Sequence, residues 1–387
     1  MPWGVFYPGD ELEGRANFGK GTWPVASGEF GMSQFGAYNM AGNVSEWTLN
    51  DSSEGYLATG GAWGDATYAF PQYGGRPGFF SSNKLGFRVA QYAEGGEDAE
   101  GAARIVLNQA VPVYSASSES TFKTLAASYR YEPTPLEARI EETVDTPDWK
   151  REMVTFNGAA GERAIAYLYL PRHVTGSMQV IHFLPAGDVA GGLRSITASM
   201  EDAVAPFIKS GRAAFGVVLK GYIGRLGPEG SVPPDPTTVE YFERVANRIL
   251  DLRRGLDYLE TRPDLDHSRI AILAPSAGSA LGLILAAIEP RYRAVAMVGA
   301  GLPSYTIPFF AAANPINFSP HIRLPKLLVQ GRYDEDTPLR TASDPLFKLL
   351  GEPKRRFVFE GGHIASPEVH MSVTNPWFDE TMGRVVR

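Results

Sequence analysis

The sequence predicts an α/β protein with a doubly wound, mainly parallel sheet, preceded by a small loop-rich domain. Two observations predict the sheet. Apolar strands alternate with helices from about residue 118 onward, and such alternation is typical of parallel sheets covered by helices. One of these strands leads through a turn of small residues at Ser276 into an apolar helix. A third observation predicts the separate domain, because residues 1–93 are rich in Gly, Trp, Tyr, Phe and Asn and carry few helix signals.

The N-terminal segment contains three ordered motifs. They are Phe35-Gly-Ala-Tyr-Asn-Met-Ala-Gly-Asn-Val-Ser-Glu-Trp47, Gly60-Gly-Ala-Trp63 and Leu85-Gly-Phe-Arg-Val-Ala90. With these motifs, residues 1–93 resemble the C-terminal part of the formylglycine-generating-enzyme-like (sulfatase-modifying factor) domain, which implies a C-type-lectin-like fold. Since the match starts near the middle of the family domain, either part of that fold is missing or the chain belongs to a longer multidomain polypeptide.

The oxidase chemistry of that family depends on a pair of cysteines that hold copper, and this chain contains no cysteine. The matching positions after Gly60 carry Asp65 and Phe70 instead. Without thiolates there is neither a soft copper ligand nor a thiol to oxidise. We therefore expect that this domain does not generate formylglycine.

A structural calcium ion is the cofactor that the resemblance does imply for the first domain. The family binds calcium through an Asn side chain, two backbone carbonyls and a Glu, and these positions match Asn39, Gly42, Val44 and Glu46. Oxygen ligands of this kind suit Ca²⁺. In the alternative interpretation, Asn39 and Glu46 only hydrogen-bond the loop.

A polar, acidic segment, Glu94-Gly-Gly-Glu-Asp-Ala-Glu-Gly101, predicts a linker over residues 94–117. Residues 118–387 then contain the strands and helices of one α/β domain. The longest predicted helix covers residues 238–262, where apolar residues recur at helical spacing. The first domain either packs against the second and borders its pocket, or it is an independent module on the linker.

The turn at Ser276 is the strongest candidate for a catalytic nucleophile. Small residues at Ala274 and Gly278 let the strand and the following helix approach closely, and the helix N-terminus faces any oxyanion that forms beside the serine. The pattern departs from Gly-x-Ser-x-Gly, because Ala274 replaces the first Gly. In the alternative, Ser276 only caps the helix.

An acid and a histidine follow Ser276 at the ends of two later strands. Asp334 lies in the loop after the strand that starts at Lys326, and His363 follows a strand that ends in Gly-Gly. A serine hydroxyl becomes a good nucleophile when an imidazole takes its proton, and a carboxylate holds that imidazole in the right tautomer. Open sheets place such groups together at the carboxyl ends of their strands.

Other residues compete for these roles. Glu335 and Asp336 are alternatives to Asp334, and His370 is an alternative to His363. The remaining histidines are expected to be surface or core residues; they are His173, His182, His267 and His321.

Together these motifs resemble the α/β-hydrolase superfamily, in particular its dienelactone-hydrolase and acetyl-xylan-esterase-like branch. Ser276, Asp334 and His363 follow one another in that superfamily's order. The family spacing Gly-x-x-Asp-x-x-x-Pro matches Gly331 to Pro338 and favours Asp334 as the acid. The resemblance implies a serine esterase that works through an acyl-enzyme and needs no cofactor for catalysis.

An oxyanion hole is expected beside the nucleophile. Its donors would be the backbone N–H of Ala277 and an N–H from the loop after the strand at residues 178–184, contributed by Ala186 or Gly187. Arg225 lies in a loop that resembles a Gly-x-x-x-Arg segment of the same branch. It either meets an anionic group of the substrate or pins its own loop.

Composition and charge narrow the function classes. A net charge of −7 argues against nucleic acid as the main partner. The chain has no run of about 18 apolar residues, so we expect no membrane span, and the absence of a signal-peptide pattern leads us to expect a cytoplasmic location. The favoured function is a carboxylesterase for small or medium acyl esters. The alternatives are a peptidase on the same triad, or a non-catalytic ligand-binding or regulatory protein that uses the lectin-like domain.

Overall fold

The computed structural model contains two compact units. The first covers the described residues up to Ala110, and the second covers those from Val111 onward. The structure describes residues 14–52, 55–65, 73–92, 104–107, 110–158, 161–187, 196–222, 224–225, 234–302 and 309–385.

The first unit is built on a small sheet joined by long loops. Its strands are β1 (Ser45–Ser52), β2 (Gly55–Thr59), β3 (Tyr73–Arg76), β4 (Leu85–Gly86) and β5 (Val106–Leu107). The order is β3-β2-β1-β4, and β5 also pairs with β1. The β1–β2 and β2–β3 pairs are antiparallel, whereas β4 and β5 run parallel to β1.

Buried asparagines hold the loops of this unit together. The Asn17 side chain donates to the Asn43 side-chain oxygen at 3.2 Å and to the Gly21 carbonyl at 2.8 Å. That Asn43 oxygen also accepts the Trp23 backbone N–H at 2.7 Å. Loops leave backbone groups without ladder partners, so buried amide side chains take over this role.

The predicted linker overlaps with this first sheet. Residues 106–107 fall within the predicted linker, yet they form β5, which pairs with residues 51–52 at the end of β1. The acidic part of the predicted linker lies outside the described residues. The division between the two units falls at Ala110 and Val111.

The second unit is organised by a nine-stranded sheet. Its strands are β6 (Arg139–Asp145), β7 (Trp149–Asn157), β8 (Arg163–Pro171), β9 (Met178–Phe183), β10 (Ala213–Val218), β11 (Leu265–Pro275), β12 (Tyr292–Val298), β13 (Lys326–Gly331) and β14 (Lys354–Phe359). They lie in the order β14-β13-β12-β11-β9-β10-β8-β7-β6. The strands from β14 to β10 are parallel, and β8, β7 and β6 complete the sheet by antiparallel pairing.

Helices cover both faces of this sheet. They are α1 (Glu119–Ala127), α2 (Ile196–Lys209), α3 (Val239–Glu260), α4 (Ala277–Ile288), α5 (Asp344–Leu349), α6 (Pro367–Val369) and α7 (Asn375–Met382). Strand β11 shows why two layers form. Its Ile270, Ile272 and Ala274 join the core with α3 and α4, whereas Ala271 and Leu273 join the core with α2 and α7.

The longest helix follows the predicted pattern. Thr238 caps α3, since its side-chain oxygen accepts the Tyr241 N–H at 3.2 Å, and Ile249, Leu252 and Leu256 are fully buried. The doubly wound, mainly parallel sheet and the small loop-rich unit confirm the predicted fold class. Among the helices described above, none combines the length and apolar composition that a bilayer crossing requires.

Candidate active site

Ser276 occupies the sharp turn between β11 and α4. Its backbone has φ 51° and ψ −124°, a region that residues with a side chain rarely adopt. A Cβ on Gly278 would overlap the Leu184 carbonyl oxygen and lie 2.8 Å from that of Pro185. The glycine therefore lets the first turn of α4 pack directly on the loop after β9, as the sequence motif predicts.

Hydrogen bonds hold the strained turn in place. The Ser276 backbone N–H donates to the Val298 carbonyl at the end of β12, at 2.8 Å, and its own carbonyl accepts the Ser279 N–H at 2.8 Å. The Ser279 hydroxyl donates to the Ala274 carbonyl at 2.7 Å. Contacts on both sides of the turn thus fix the direction of the Ser276 side chain.

The structure brings Ser276, Asp334 and His363 together in one hydrogen-bonded line. His363 Nε2 lies 2.7 Å from Ser276 Oγ. On the other side of the ring, His363 Nδ1 lies 2.9 Å from Asp334 Oδ1 and 2.8 Å from Oδ2. The Asp334 side chain is fully buried and that of His363 is 11% exposed. One imidazole nitrogen therefore faces the serine hydroxyl, and the other faces a buried carboxylate.

The carboxylate of Asp334 is held by four further donors. Its Oδ1 accepts the backbone N–H groups of Asp336 at 3.0 Å and Thr337 at 2.9 Å. Its Oδ2 accepts the Gln330 amide and the Thr337 hydroxyl, both at 2.8 Å. Sequence reasoning missed Gln330 and Thr337. The sequence does carry a signal for Gln330, which is a polar residue within a largely apolar strand. The structure shows that this residue is fully buried.

Two glycines let the histidine loop approach the site. A Cβ on Gly331, at the end of β13, would overlap the Gly362 carbonyl oxygen. A Cβ on Gly299, after β12, would lie 2.8 Å from the His363 ring. Gly331 ends one parallel strand and Gly299 follows another, so the ends of neighbouring strands leave room for the His363 ring and its loop.

Asp336 adds a second carboxylate beside the imidazole. Its Oδ2 lies 3.7 Å from His363 Nε2, the nitrogen that faces Ser276. Burial lowers the pKa of His363, but the hydrogen bond and charge of Asp334, with the charge of Asp336, outweigh burial and raise that pKa above its usual value. The pKa of Asp336 is also raised. Burial is the main cause, the positive charge of a protonated His363 lowers this pKa, and the negative charge of Asp334 raises it further.

Asp334, Asp336 and His363 also lie close enough together to be considered as ligands of a metal ion. Both ring nitrogens of His363 already face hydrogen-bond partners, Asp334 on one side and Ser276 on the other. We therefore assign no metal to this group.

The expected oxyanion donors lie next to each other. Ala277 is the first residue of α4. A Cβ on Gly187 would lie 3.5 Å from that of Ala277, so the loop after β9 reaches the helix start. The neighbouring Ala186 carbonyl accepts the Tyr222 hydroxyl at 2.8 Å. Tyr222 was not singled out by sequence reasoning.

The side chain of Arg225 is buried and bonded to other residues of the second unit. Its Nη1 donates to the Val218 carbonyl at 2.8 Å and to Asp251 Oδ2 at 2.7 Å, and its Nη2 lies 3.6 Å from Glu162. The side chains of Arg225 and Asp251 are only 7% and 5% exposed. Of the two roles left open by the sequence, this pairing favours the one in which Arg225 pins its loop.

The described contacts of His370, the alternative base, do not include the triad. His370 Nδ1 lies 3.3 Å from the Thr374 hydroxyl, and its ring contacts Phe207. Burial lowers the pKa of His370 to about 4. His182 is buried in the core, 2.7 Å from the Tyr292 hydroxyl.

The residues expected to bind calcium lie in the loop before β1 and at its start. The Asn39 amide nitrogen donates to the Val25 carbonyl at 2.9 Å. Its Oδ1 is buried with no hydrogen-bond partner within the described part of the chain. The Glu46 carboxylate receives two bonds of 2.7 Å from Arg88, which also donates to the Asn39 carbonyl at 3.3 Å. The orphaned Asn39 oxygen fits a cation, which would have to share Glu46 with Arg88.

The position matched to a family cysteine has a different environment. Asp65 accepts the Ala62 N–H at 2.9 Å and pairs with Lys84 at 2.8 Å. An ion-paired carboxylate offers no soft ligand for copper. Phe70 lies outside the described residues.

Comparisons with known proteins give a result for each part of the chain. A family model described as the sulfatase-modifying factor enzyme 1-like domain matches residues 3–93. A comparison with curated protein sequences gives no match.

Several solved structures resemble the larger part of the chain. An acetyl xylan esterase from Paenibacillus sp. R4 aligns with a TM-score of 0.54 at 19% identity, covering 70% of this chain and 97% of that chain. A glucuronoyl esterase from Solibacter usitatus aligns at 0.51 and 14% identity, covering 70% and 98%. Acetyl xylan esterase 1 from Thermoanaerobacterium sp. JW/SL YS485 aligns at 0.50 and 14% identity, covering 69% and 94%.

Identities at this level establish a shared fold. The sequence resemblance rested on the serine turn after β11 and on the loops after β13 and β14, which carry Ser276, Asp334 and His363 in that chain order. Residues 3–93 therefore form a sulfatase-modifying factor enzyme 1-like domain, and the unit that follows has the α/β-hydrolase fold.

Proposed function

We propose that the second unit is a serine carboxylesterase that hydrolyses small or medium acyl esters through an acyl-enzyme. The observation that carries this proposal is the hydrogen-bonded line from Asp334 through His363 to Ser276. Each member sits just beyond the end of a parallel strand, where open α/β sheets place their sites. The low exposure of the imidazole suits a base that works in a water-poor site.

In the proposed reaction, Ser276 Oγ attacks the ester carbonyl carbon while His363 Nε2 takes the hydroxyl proton. Asp334 keeps the proton on Nδ1 and stabilises the imidazolium. The tetrahedral intermediate then breaks its bond to the alcohol oxygen, which receives the proton from His363. A water molecule, activated by the same histidine, cleaves the acyl-serine and releases the carboxylic acid.

The oxyanion of each tetrahedral intermediate needs donors that are already in place. We assign the Ala277 N–H as one donor, because it opens α4, where N–H groups have no partner within the helix. The second donor is an N–H of the adjacent loop, from Ala186 or Gly187. No cofactor takes part in these steps.

The names of the structural neighbours suggest where to look for a substrate. Two of them are called acetyl xylan esterases and one a glucuronoyl esterase. We propose acetyl and other short acyl esters as the first substrates to test. A series of p-nitrophenyl esters with increasing acyl length measures the preference directly.

The decisive experiment replaces the nucleophile. Ser276→Ala should reduce kcat by about three to six orders of magnitude, as expected for loss of a triad member. It should also abolish labelling by a fluorophosphonate, with the label in the wild type mapping to the peptide that contains Ser276. Ser268→Ala is a matched control, because Ser268 lies on the same strand at its exposed end.

Other outcomes separate the alternatives. If Ser276→Ala keeps more than about a tenth of wild-type turnover, Ser276 is not the nucleophile. Faster cleavage of p-nitroanilides than of the matching esters would indicate a peptidase. A wild-type protein that neither hydrolyses esters nor reacts with the fluorophosphonate would indicate a binding role instead.

For the first unit we propose a calcium ion held by the Asn39 side chain, the carbonyls of Gly42 and Val44, and Glu46. The buried, unpartnered Oδ1 of Asn39 supports this assignment, since such an oxygen gains a partner when a cation binds. Calcium would stabilise the loop that precedes β1. It has no part in the proposed ester hydrolysis.

A further inference from the structure

Tyr222 holds the backbone of the loop that adjoins the nucleophile. It follows β10 and is 6% exposed, and its hydroxyl donates to the Ala186 carbonyl at 2.8 Å. Its backbone N–H donates to the Leu219 carbonyl at 3.0 Å. The guanidinium of Arg248 lies over the Tyr222 ring, 5.1 Å from its centroid. The ring and backbone are thus fixed, so the hydroxyl meets Ala186 from a defined direction.

Peptide planarity transmits this contact to the next residue. In a trans peptide, the carbonyl of one residue and the N–H of the next point in opposite directions. A bond from Tyr222 to the Ala186 oxygen therefore also fixes the direction of the Gly187 N–H. Glycine by itself imposes little restriction on its backbone, so without this bond the Ala186–Gly187 peptide could rotate.

The fixed N–H belongs to a residue next to the start of α4. A Cβ on Gly187 would lie 3.5 Å from the Ala277 Cβ. Gly278 packs against the Leu184 and Pro185 carbonyls, just before the Ala186–Gly187 peptide. Residues 184–187 are therefore held both by the start of α4 and by the Tyr222 hydroxyl.

We propose that Tyr222 is a positioning residue that orients the Ala186–Gly187 peptide, so that the Gly187 N–H is the second donor to the oxyanion. This inference rests on the proposed esterase function and deepens it, because it selects Gly187 over Ala186. The tyrosine is not a catalytic residue in this proposal. It acts through one backbone carbonyl.

The test removes only the hydroxyl. Tyr222→Phe should lower kcat by about 10- to 100-fold, somewhat less than the loss of an entire oxyanion donor, while KM changes by less than about threefold. Tyr129→Phe is the matched control. Tyr129 is fully buried in the same unit, and its hydroxyl also donates to a backbone carbonyl, that of Ala312, at 2.6 Å. The control should keep its kcat at temperatures where it is folded.

Two readouts distinguish positioning from a general structural effect. Rates are expressed per active site, counted by end-point titration with a fluorophosphonate, so partial unfolding does not enter kcat. A trifluoromethyl ketone, whose adduct carries an oxyanion, should bind Tyr222→Phe more weakly by about the factor lost in kcat/KM. The acid limb of the pH profile should stay in place, because His363 is untouched.

Several results would overturn the inference. They are a kcat within about twofold of the wild type, a loss equal to that in Tyr129→Phe, or unchanged affinity for the ketone. If Tyr222→Phe does not fold, Tyr222→Met is the second variant, because its flexible apolar side chain fills much of the space without a hydroxyl, and it carries the same expectation. Failure of the esterase proposal itself looks different, because Ser276→Ala would then retain activity or the wild type would have none.

Discussion

Replacing Asp336 by Asn should shift the pH dependence of the proposed ester hydrolysis. The substitution removes a negative charge 3.7 Å from His363 Nε2. The Asp336 side chain is 24% exposed, so the interaction is intermediate between that in water and that in a protein interior. Coulomb's law at this distance gives about 1 to 2 kcal/mol for effective dielectric constants of about 80 to 40, which corresponds to roughly 0.8 to 1.6 pKa units.

The sign of the shift follows from the role of the imidazole. Burial lowers the pKa of His363, and the two carboxylates raise it to a net value above the usual one. Without the charge of Asp336 the pKa falls, so the neutral base is present at lower pH. The acid limb of kcat/KM should therefore move down by about one pH unit. The value of kcat/KM on the pH plateau should change little, because Asp334 still holds His363 Nδ1.

The assay is hydrolysis of p-nitrophenyl acetate between about pH 4 and pH 9, since kcat/KM reports the pKa of the free enzyme. Glu360→Gln is the matched control. Glu360 lies in the same loop as His363, but its carboxylate pairs with Arg332. An acid limb that stays in place, or that moves to higher pH, would refute the electrostatic role of Asp336.

Two further predictions concern Arg225 and calcium. Arg225→Gln should lower the free energy of unfolding by about 3 kcal/mol, because the buried Asp251 loses its cationic partner. Urea unfolding measures this loss. A selective loss of activity toward anionic esters would instead indicate that Arg225 binds substrate. A chelator should lower the Tm of the first unit in the wild type and in Glu29→Gln, an exposed control, but not in Glu46→Gln. Equal melting curves in the wild type would count against the calcium site.

The sequence predicts those residues of the candidate active site that lie just after the ends of strands. Ser276, Asp334 and His363 each follow an apolar strand within a short, recognisable motif. Parallel strands bring their carboxyl ends to one edge of the sheet, so three distant positions become neighbours without any knowledge of individual contacts. The same logic gave the fold class, since it depends on periodic patterns rather than on single residues.

The contacts that the sequence does not predict join segments with no common pattern. Tyr222 meets Ala186 across two different loops, and Arg225 meets Asp251 on α3. A buried ion pair, or a hydrogen bond from a hydroxyl to a backbone carbonyl, leaves no periodic pattern in the sequence. This is why the sequence left open whether Arg225 binds substrate, and why Tyr222 was not noticed.

The departure of the serine turn from Gly-x-Ser-x-Gly has a compensation in the structure. Ala274 is fully buried at the end of β11, where its methyl group should keep α4 away from the strand. Gly282 lies opposite, and a Cβ there would approach the Ala274 Cβ to 3.0 Å, closer than most side chains tolerate. The missing glycine of the strand is thus replaced by a glycine one turn into the helix. How closely the strand and α4 approach depends on the combined size of the side chains at positions 274 and 282. Ala274 therefore does not argue against catalysis.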